Sequence, residues 1–416
     1  MAKFYSATQQ HHAAAPLAHF LTAAYTLHLA RAGRAPAHVV DKAWMAPHNY
    51  ARHALIPISP HEGMVLLPKS FLLSETIAAL GQSARAHDIN LLTARQQLPR
   101  DAVLPRDAAL LVNATGSLAV RDALAADGPD TRNRAAEACL FANGRVAYLG
   151  LEGPGCNPSI ADLAADVYRL FSEDARIAHV VADAGPVELS IGQGCASLTM
   201  PMSDARLSAM AAPMAERIAA WHANGLPATS GRIFIGALDD DGMSLRWQQH
   251  EMLPWTVLRS RTSDISVRVA PDAGRKISEA VTARPGVETG GVLIGRWSDV
   301  TSTFHVVDEL SAPADSVFSR DLFVLGTNGL TEAITNVVAR SRGALYPLGT
   351  WHNHLVDSGP SHIDRGAAQM LAREQRIPVL LLIRTPGGYR FLTAENLRLP
   401  ASTDTPPTSA KEAPSP

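Results

Sequence analysis

Cysteine is scarce in this 416-residue chain: Cys139, Cys156 and Cys195 are the only three, and no CxxC pair occurs among them. That excludes a disulfide framework and a cysteine-built zinc site, and it implies a reducing, cytoplasmic setting. A surplus of charge is missing too. Lysine plus arginine (37) nearly balance aspartate plus glutamate (39), for a formal net charge of −2. No electrostatic attraction toward nucleic acid or an anionic membrane is built into such a chain. Long apolar runs are lacking: stretches such as IPVLLLI at 377–383 fall far short of the ~20 residues that span a bilayer. The opening MAKFYSATQQHHAAAPLAHF puts polar residues where a signal peptide needs an apolar core. What is present is 46% hydrophobic against 18% charged residues, enough apolar material for a globular core. The length suggests two or three domains.

The N-terminal part alternates helix and strand patterns. Apolar residues at helical spacing fill 16–32 before Gly33, 71–87, 117–126 and 159–172. Short apolar strands fit 38–41, 108–116 and 145–151. Near-continuous apolar strands between helices imply an α/β domain with a parallel-rich sheet covered on both faces. The segment LPWTVLRSRTSDISVRVA at 253–270 reads as a junction, placing one domain at 1–255, a linker at 256–264 and a second domain at 265–400. In that second, α+β part, strands fit 265–269, 291–296, 303–308 and 379–384, and helices fit 272–283, 329–342 and 362–375. The stretch 401–416, rich in Pro, Ser, Thr and Ala, reads as a disordered tail.

The densest chemistry lies in GTWHNHLVDSGPSHIDRG at 349–366. If 345–352 is a strand, side chains two apart share a face, so His352 and His354 project together. Gly359 and Pro360 break the chain, and Ser361 stands at a helix N-cap with Asp364 in the first turn. Two imidazoles and one carboxylate, with a fourth position open to water, make a catalytic rather than a structural zinc shell. Each piece alone has an ordinary reading: His-x-His recurs by chance in a chain with 16 histidines, and Ser361 with Asp364 is a common helix cap. Glu288, just before a glycine pair and an apolar strand in PGVETGGVLIGR (285–296), reads alone as an exposed acid. Hydrolysis at zinc also needs a base, and a glutamate at a strand start can reach the water.

Taken together, Glu288 with GGVLIG, then HNH, then SHID resemble the JAMM (JAB/MPN) metalloprotease family over roughly 262–400. The segment APADSVFSRDLFVLGT (312–327) is similar to what lies between glutamate and histidines in bacterial members. Leu355 stands where a proline commonly follows the second histidine. The resemblance implies that His352, His354 and Asp364 hold Zn2+, that Glu288 is the general acid/base, and that Ser361 donates to the oxyanion. It implies cleavage at the C-terminus of a ubiquitin-like protein or its conjugate, with a conjugating enzyme as a further partner.

The N-terminal part, over about 15–255, resembles ThiF-type (ubiquitin-activating-like) adenylating domains with a Rossmann-like fold. DKAWMAPHNYARHAL (41–55) matches the stretch where Asp41 holds the ATP ribose and Asn49 and Arg52 contact the nucleotide, and Lys69 falls at the phosphate-contacting lysine. LLVNATGSLAVRDAL (110–124) and GQGCASLTMPMSDARLSAMAA (192–212) resemble later parts of such domains. Two departures speak against use of ATP. No GxGxxG precedes the first helix, and Asn113 stands where the family places a magnesium-binding aspartate. The domain therefore reads as a degenerate scaffold for docking, with ATP-dependent activation of a ubiquitin-like or sulfur-carrier protein as the alternative. Cys195 reads as a small buried residue or, alternatively, as an acyl-carrying nucleophile. Cys139 reads as core on a helix, Cys156 as a loop residue, and His48 and His53 as structural.

Overall fold

Two separate sheets organise the chain. The computed structural model describes residues 19–45, 54–55, 67–99, 102, 104–105, 108–129, 132–182, 202–375 and 377–395. In chain order its first half contains α1 (His19–Arg31), β1 (His38–Val40), α2 (Lys69–Ala79), β2 (Arg85–His87), α3 (Leu91–Gln97), β3 (Leu111–Asn113), α4 (Leu118–Ala126), β4 (Ala135–Phe141), β5 (Val146–Leu151), α5 (Ile160–Glu173), α6 (Ala175–Ala182), α7 (Asp204–Asn224), β6 (Gly231–Leu238) and β7 (Leu245–Met252). The second half contains β8 (Thr256–Arg259), β9 (Ser266–Val269), α8 (Pro271–Ala283), β10 (Gly290–Ser298), β11 (Thr303–Ser311), β12 (Val317–Phe318), β13 (Phe323–Val324), α9 (Leu330–Arg340), β14 (Tyr346–Asn353), α10 (His362–Ala372), β15 (Val379–Thr385) and β16 (Gly388–Ala394).

The first half is a mixed α/β fold, but its main sheet is not parallel-rich. In the order β3-β4-β5-β6-β7 only β3 and β4 run parallel, and the other pairs are antiparallel. The cause is local. Ala142, Asn143 and Gly144 all take positive φ and fold β4 tightly back onto β5, as Asn-Gly hairpins do. A second parallel pair, β1 with β2, stands apart. The helix expected over 71–87 stops at Ala79 because Gly81 takes a φ of +75°, and residues 85–87 turn into strand. Cys139, expected on a helix, lies fully buried on β4. Here the ladders on both sides override an alanine-rich composition.

The second half is built on a seven-stranded sheet ordered β16-β15-β14-β10-β11-β9-β8. Residues 256–259, expected as linker, form its edge strand β8, paired with β9. The inner strands β10, β14 and β15 are buried along most of their length, as expected for a sheet covered on both faces. Val292, Ile294, Phe304, Val306, Leu348, Trp351, Leu380 and Leu382 belong to its core. Among the described residues, no helix is long and apolar enough to cross a membrane.

Candidate metal centre

The centre is assembled at one end of three adjacent strands. β14 carries His352 and runs antiparallel to β10 and parallel to β15. His354 follows directly, its N–H donating to the Arg384 carbonyl on β15 (3.0 Å). Strand alternation puts the two imidazoles on one face, their Nε2 atoms 3.0 Å apart. Asp364 arrives from α10. Its helix opens on a reciprocal capping box: the Ser361 Oγ accepts from the Asp364 N–H (3.2 Å), and the Asp364 Oδ2 accepts from the Ser361 N–H (2.6 Å). The cap aims the carboxylate inward, with Oδ1 3.2 Å from His352 Nε2 and Oδ2 3.6 Å from His354 Nε2. Among the described residues, His352, His354 and Asp364 are the one group of three such side chains whose donor atoms all lie within 4.8 Å of one another.

The electrostatics suit a cation. Burial pushes the Asp364 carboxyl up, but hydrogen bonds from His352 and Ser361 outweigh it and hold the group well below the usual carboxylate range. Burial and the neighbouring His352 lower the His354 imidazole, with Asp364 opposing, which favours its neutral, lone-pair-bearing form. The His354 Nδ1 lies 2.7 Å from the Ser358 Oγ. If Nδ1 carries the proton, Nε2 is left as the ligand, and the second partner fixes the ring. Two imidazole nitrogens and a carboxylate oxygen at these separations repel unless a proton or a cation sits among them, and His, His and Asp form a donor set that Zn2+ accepts.

Glu288 is half-buried two residues ahead of β10. Burial raises its pKa, His352 pulls it down, and the carboxylates of Asp364 and Asp321 push it up again. It is pinned by its backbone. The Glu288 N–H donates to the Ser319 carbonyl (2.7 Å), tying it to the β12–β13 hairpin. Next to it, the Thr289 N–H donates to Asn353 Oδ1 (2.6 Å), and the Asn353 N–H donates to the Thr289 carbonyl (2.9 Å). The buried Asn353 thus clamps the Glu288 segment against the histidine strand, a role the sequence did not reveal. Behind it, the Trp351 Nε1–H donates to Glu309 Oε2 (3.1 Å). Glycine is required at 290 and 291. A methyl group on Gly290 would overlap the Trp351 carbonyl and the Phe323 ring, and one on Gly291 would overlap the Leu310 carbonyl. The loop between His354 and Ser361 is held through Asp357, which accepts from the Thr385 Oγ1 (2.8 Å) and pairs with Arg390 (3.2 Å).

The nucleotide-like residues fall elsewhere. Asn49, Arg52, His48, His53, Cys195 and the 401–416 tail lie outside the described residues. Asp41 and Lys69 are neighbours: the Lys69 N–H donates to the Ala43 carbonyl (2.9 Å), while Asp41 Oδ1 accepts from the Ala43 N–H (2.8 Å). Lys69 is only 3% exposed. Asn113 is committed internally. Its Nδ2 donates to Glu137 Oε1 (2.8 Å), its Oδ1 accepts from the Thr115 N–H (3.2 Å) and Oγ1 (2.8 Å), and Glu137 is gripped by Arg121 Nε. Cys156 sits buried in a turn, its thiol pushed up to about 11 by burial and by Glu152.

No protein-family model matches the chain. Over 79 residues, 19% of its length, it is 42% identical to a "CD-NTase/cGAS isopeptidase" of Enterobacter hormaechei subsp. hoffmannii (strain UCI 50), and it spans about two fifths of that relative, 41%. Two E. coli crystal structures overlap it at 14% identity. MccB with MccA-N7isoASN has a TM-score of 0.35 over 58% of this chain and 66% of that one, and MccB alone has 0.33 over 55% and 59%. Part of the chain is therefore similar to an isopeptidase, and the two overlaps are too slight to assign a fold.

Proposed function

We propose that the chain is a zinc-dependent isopeptidase or peptidase of the JAMM type, acting at the C-terminus of a ubiquitin-like protein or its conjugate, with the N-terminal half as a docking scaffold that does not adenylate. One observation carries this reading: the His352, His354 and Asp364 donor atoms lie within 4.8 Å of one another, beside a half-buried glutamate whose pKa their charges perturb. The isopeptidase name of the relative supports amide hydrolysis. Zinc held by these three side chains would lower the pKa of a bound water toward about 7 and polarise the scissile carbonyl. Glu288 takes the proton of the attacking water and returns it to the leaving amine, and its upward-shifted pKa suits that two-way traffic. Ser361 spends an oxygen lone pair on the Asp364 N–H and keeps its hydroxyl proton to donate to the oxyanion. Ser358 holds the His354 ring, and Asn353 holds the Glu288 segment. The internal commitment of Asn113 and the burial of Lys69 argue against ATP chemistry in the N-terminal half.

The test is cleavage of a ubiquitin-like protein extended at its C-terminus. Glu288→Gln is expected to keep one zinc per chain while losing cleavage by about 10²–10⁴-fold, the usual contribution of general acid–base catalysis. Full cleavage by that variant would remove Glu288 from the mechanism.

A further inference from the structure

The two sheets meet across α5, which is buried on every side. Ile160, Leu163, Ala164, Ala165, Val167 and Phe171 are all buried. Ala165 belongs to the core of the seven-stranded sheet, Leu163, Val167 and Phe171 belong to the core of the five-stranded one, and Tyr168 packs against both. The helix contacts β4 and β5 on one side and β11 on the other. At its first turn Asp162 is 0% exposed, and its carboxylate faces the other sheet. Arg268 Nε donates to Oδ1 and Oδ2 (2.8 and 2.9 Å), and Arg268 Nη2 donates to Oδ2 (2.6 Å). His305 Nδ1, itself 3% exposed as a residue, lies 2.7 Å from Oδ1. Arg268 and His305 stand side by side as a register pair of β9 and β11, so the sheet presents both to one helix carboxylate. Asn157 extends the seam. Its Oδ1 accepts from Arg268 Nη2 and from the Trp255 N–H, and its Nδ2 donates to the Trp255 carbonyl, each at 3.0 Å.

Domains joined in one chain ordinarily meet through modest polar surfaces and move relative to each other. A buried ion cluster does not permit that. Separating the sheets would strip the Arg268 guanidinium from Asp162 and leave the Asp162 carboxylate only the Ser159 N–H of its own capping box (2.8 Å), and breaking one side of a buried pair is strongly destabilising. We propose that the N-terminal half has a structural function in cis: α5 is a covering helix shared by both sheets, and Asp162, Arg268 and His305 lock the metal-bearing sheet and the five-stranded sheet into one cooperative folding unit. The metal-bearing half is then not a detachable module: its strand β11, which pairs with the β10 strand beginning just after Glu288, is covered by a helix of the other half. This proposal is independent of the reaction assigned above.

The experiment is native-state hydrogen exchange on the full chain, comparing the slowest amides of β4–β6 with those of β10, β14 and β15. Equal opening free energies are expected in the two sheets. His305→Leu is expected to accelerate the slowest amides of both by the same factor, on the order of tenfold or more. His305→Asn, which keeps an N–H donor where Nδ1 stands, is expected to restore most of the protection. Unequal opening free energies in the parent, or acceleration confined to the seven-stranded sheet, would overturn the proposal.

Discussion

Gly290→Ala is the sharpest mutational probe of how the centre is built. Gly290 pairs with His352 across β10 and β14 and lies two residues beyond Glu288. An added Cβ would stand 2.8 Å from Phe323 Cδ1 and nearer still to the Trp351 carbonyl oxygen. Ordinary C···O contacts begin near 3.3 Å. The strands or the hairpin must therefore separate by roughly 1 Å, and the backbone oxygen has no rotamer by which to give way. Overpacking of this kind costs about 1–3 kcal/mol. At about 2 °C per kcal/mol for a large cooperative unit, Tm should fall by roughly 2–6 °C. A displacement of about 1 Å between acid and histidine strand should cost on the order of 10²-fold in turnover. The control is Gly366→Ala on α10, where a Cβ meets nothing within 4 Å. There alanine removes glycine's entropic cost, and Tm should rise with a gain of about 0.5–1 kcal/mol. Thermal unfolding of both variants, with a cleavage assay, decides. A Gly290→Ala protein with unchanged Tm and turnover would refute the close-packing argument.

Other outcomes follow from the same contacts. Asn353→Ala removes the acceptor of the buried Thr289 N–H. It should destabilise by about 1–3 kcal/mol and lower turnover with zinc retained, as metal analysis beside a denaturant curve would register. Ser361→Ala removes the α10 cap and should cost about 0.5–2 kcal/mol. Ser361→Asp, still a cap, should recover stability without turnover if the hydroxyl proton serves the oxyanion, whereas recovery of both would count against that role. Burial pushes Asp162 up, but Arg268 and His305 prevail and hold it well below the ordinary range. Its folded pKa is thus depressed relative to about 3.9 when unfolded. The stability it supplies is complete above that value and is lost as pH falls further toward the folded pKa. Stability of the parent should drop steeply below about pH 4, and Asp162→Asn should be less stable at neutral pH with a flatter acid limb.

The helices and inner strands of the second half were legible because their signals are local. Ser361 and Asp364 spell a capping box, GGVLIG and VLLLIR are apolar runs of strand length, and His352 and His354 have the spacing of a shared strand face. The first half was less legible where long-range pairing decides. AAEACLF reads as helix until β3 and β5 flank it, and the Asn143-Gly144 hairpin, a signal of only two residues, makes β4 and β5 antiparallel where a parallel arrangement is expected. Residues 85–87 left the expected helix because Gly81 ended it and β1 offered a partner. Asn353 and Asp162 could not be found from sequence. Each looks like an ordinary polar residue of its own element, and each acts on a partner far along the chain: Thr289 for the first, Arg268 and His305 for the second.

Zinc content tests the central claim most directly. The purified 416-residue chain should bind one Zn2+ per molecule, and His352→Ala, His354→Ala and Asp364→Ala should each abolish that stoichiometry while Glu288→Gln preserves it. A parent protein that binds no zinc, or one whose zinc survives loss of His352, would contradict the account.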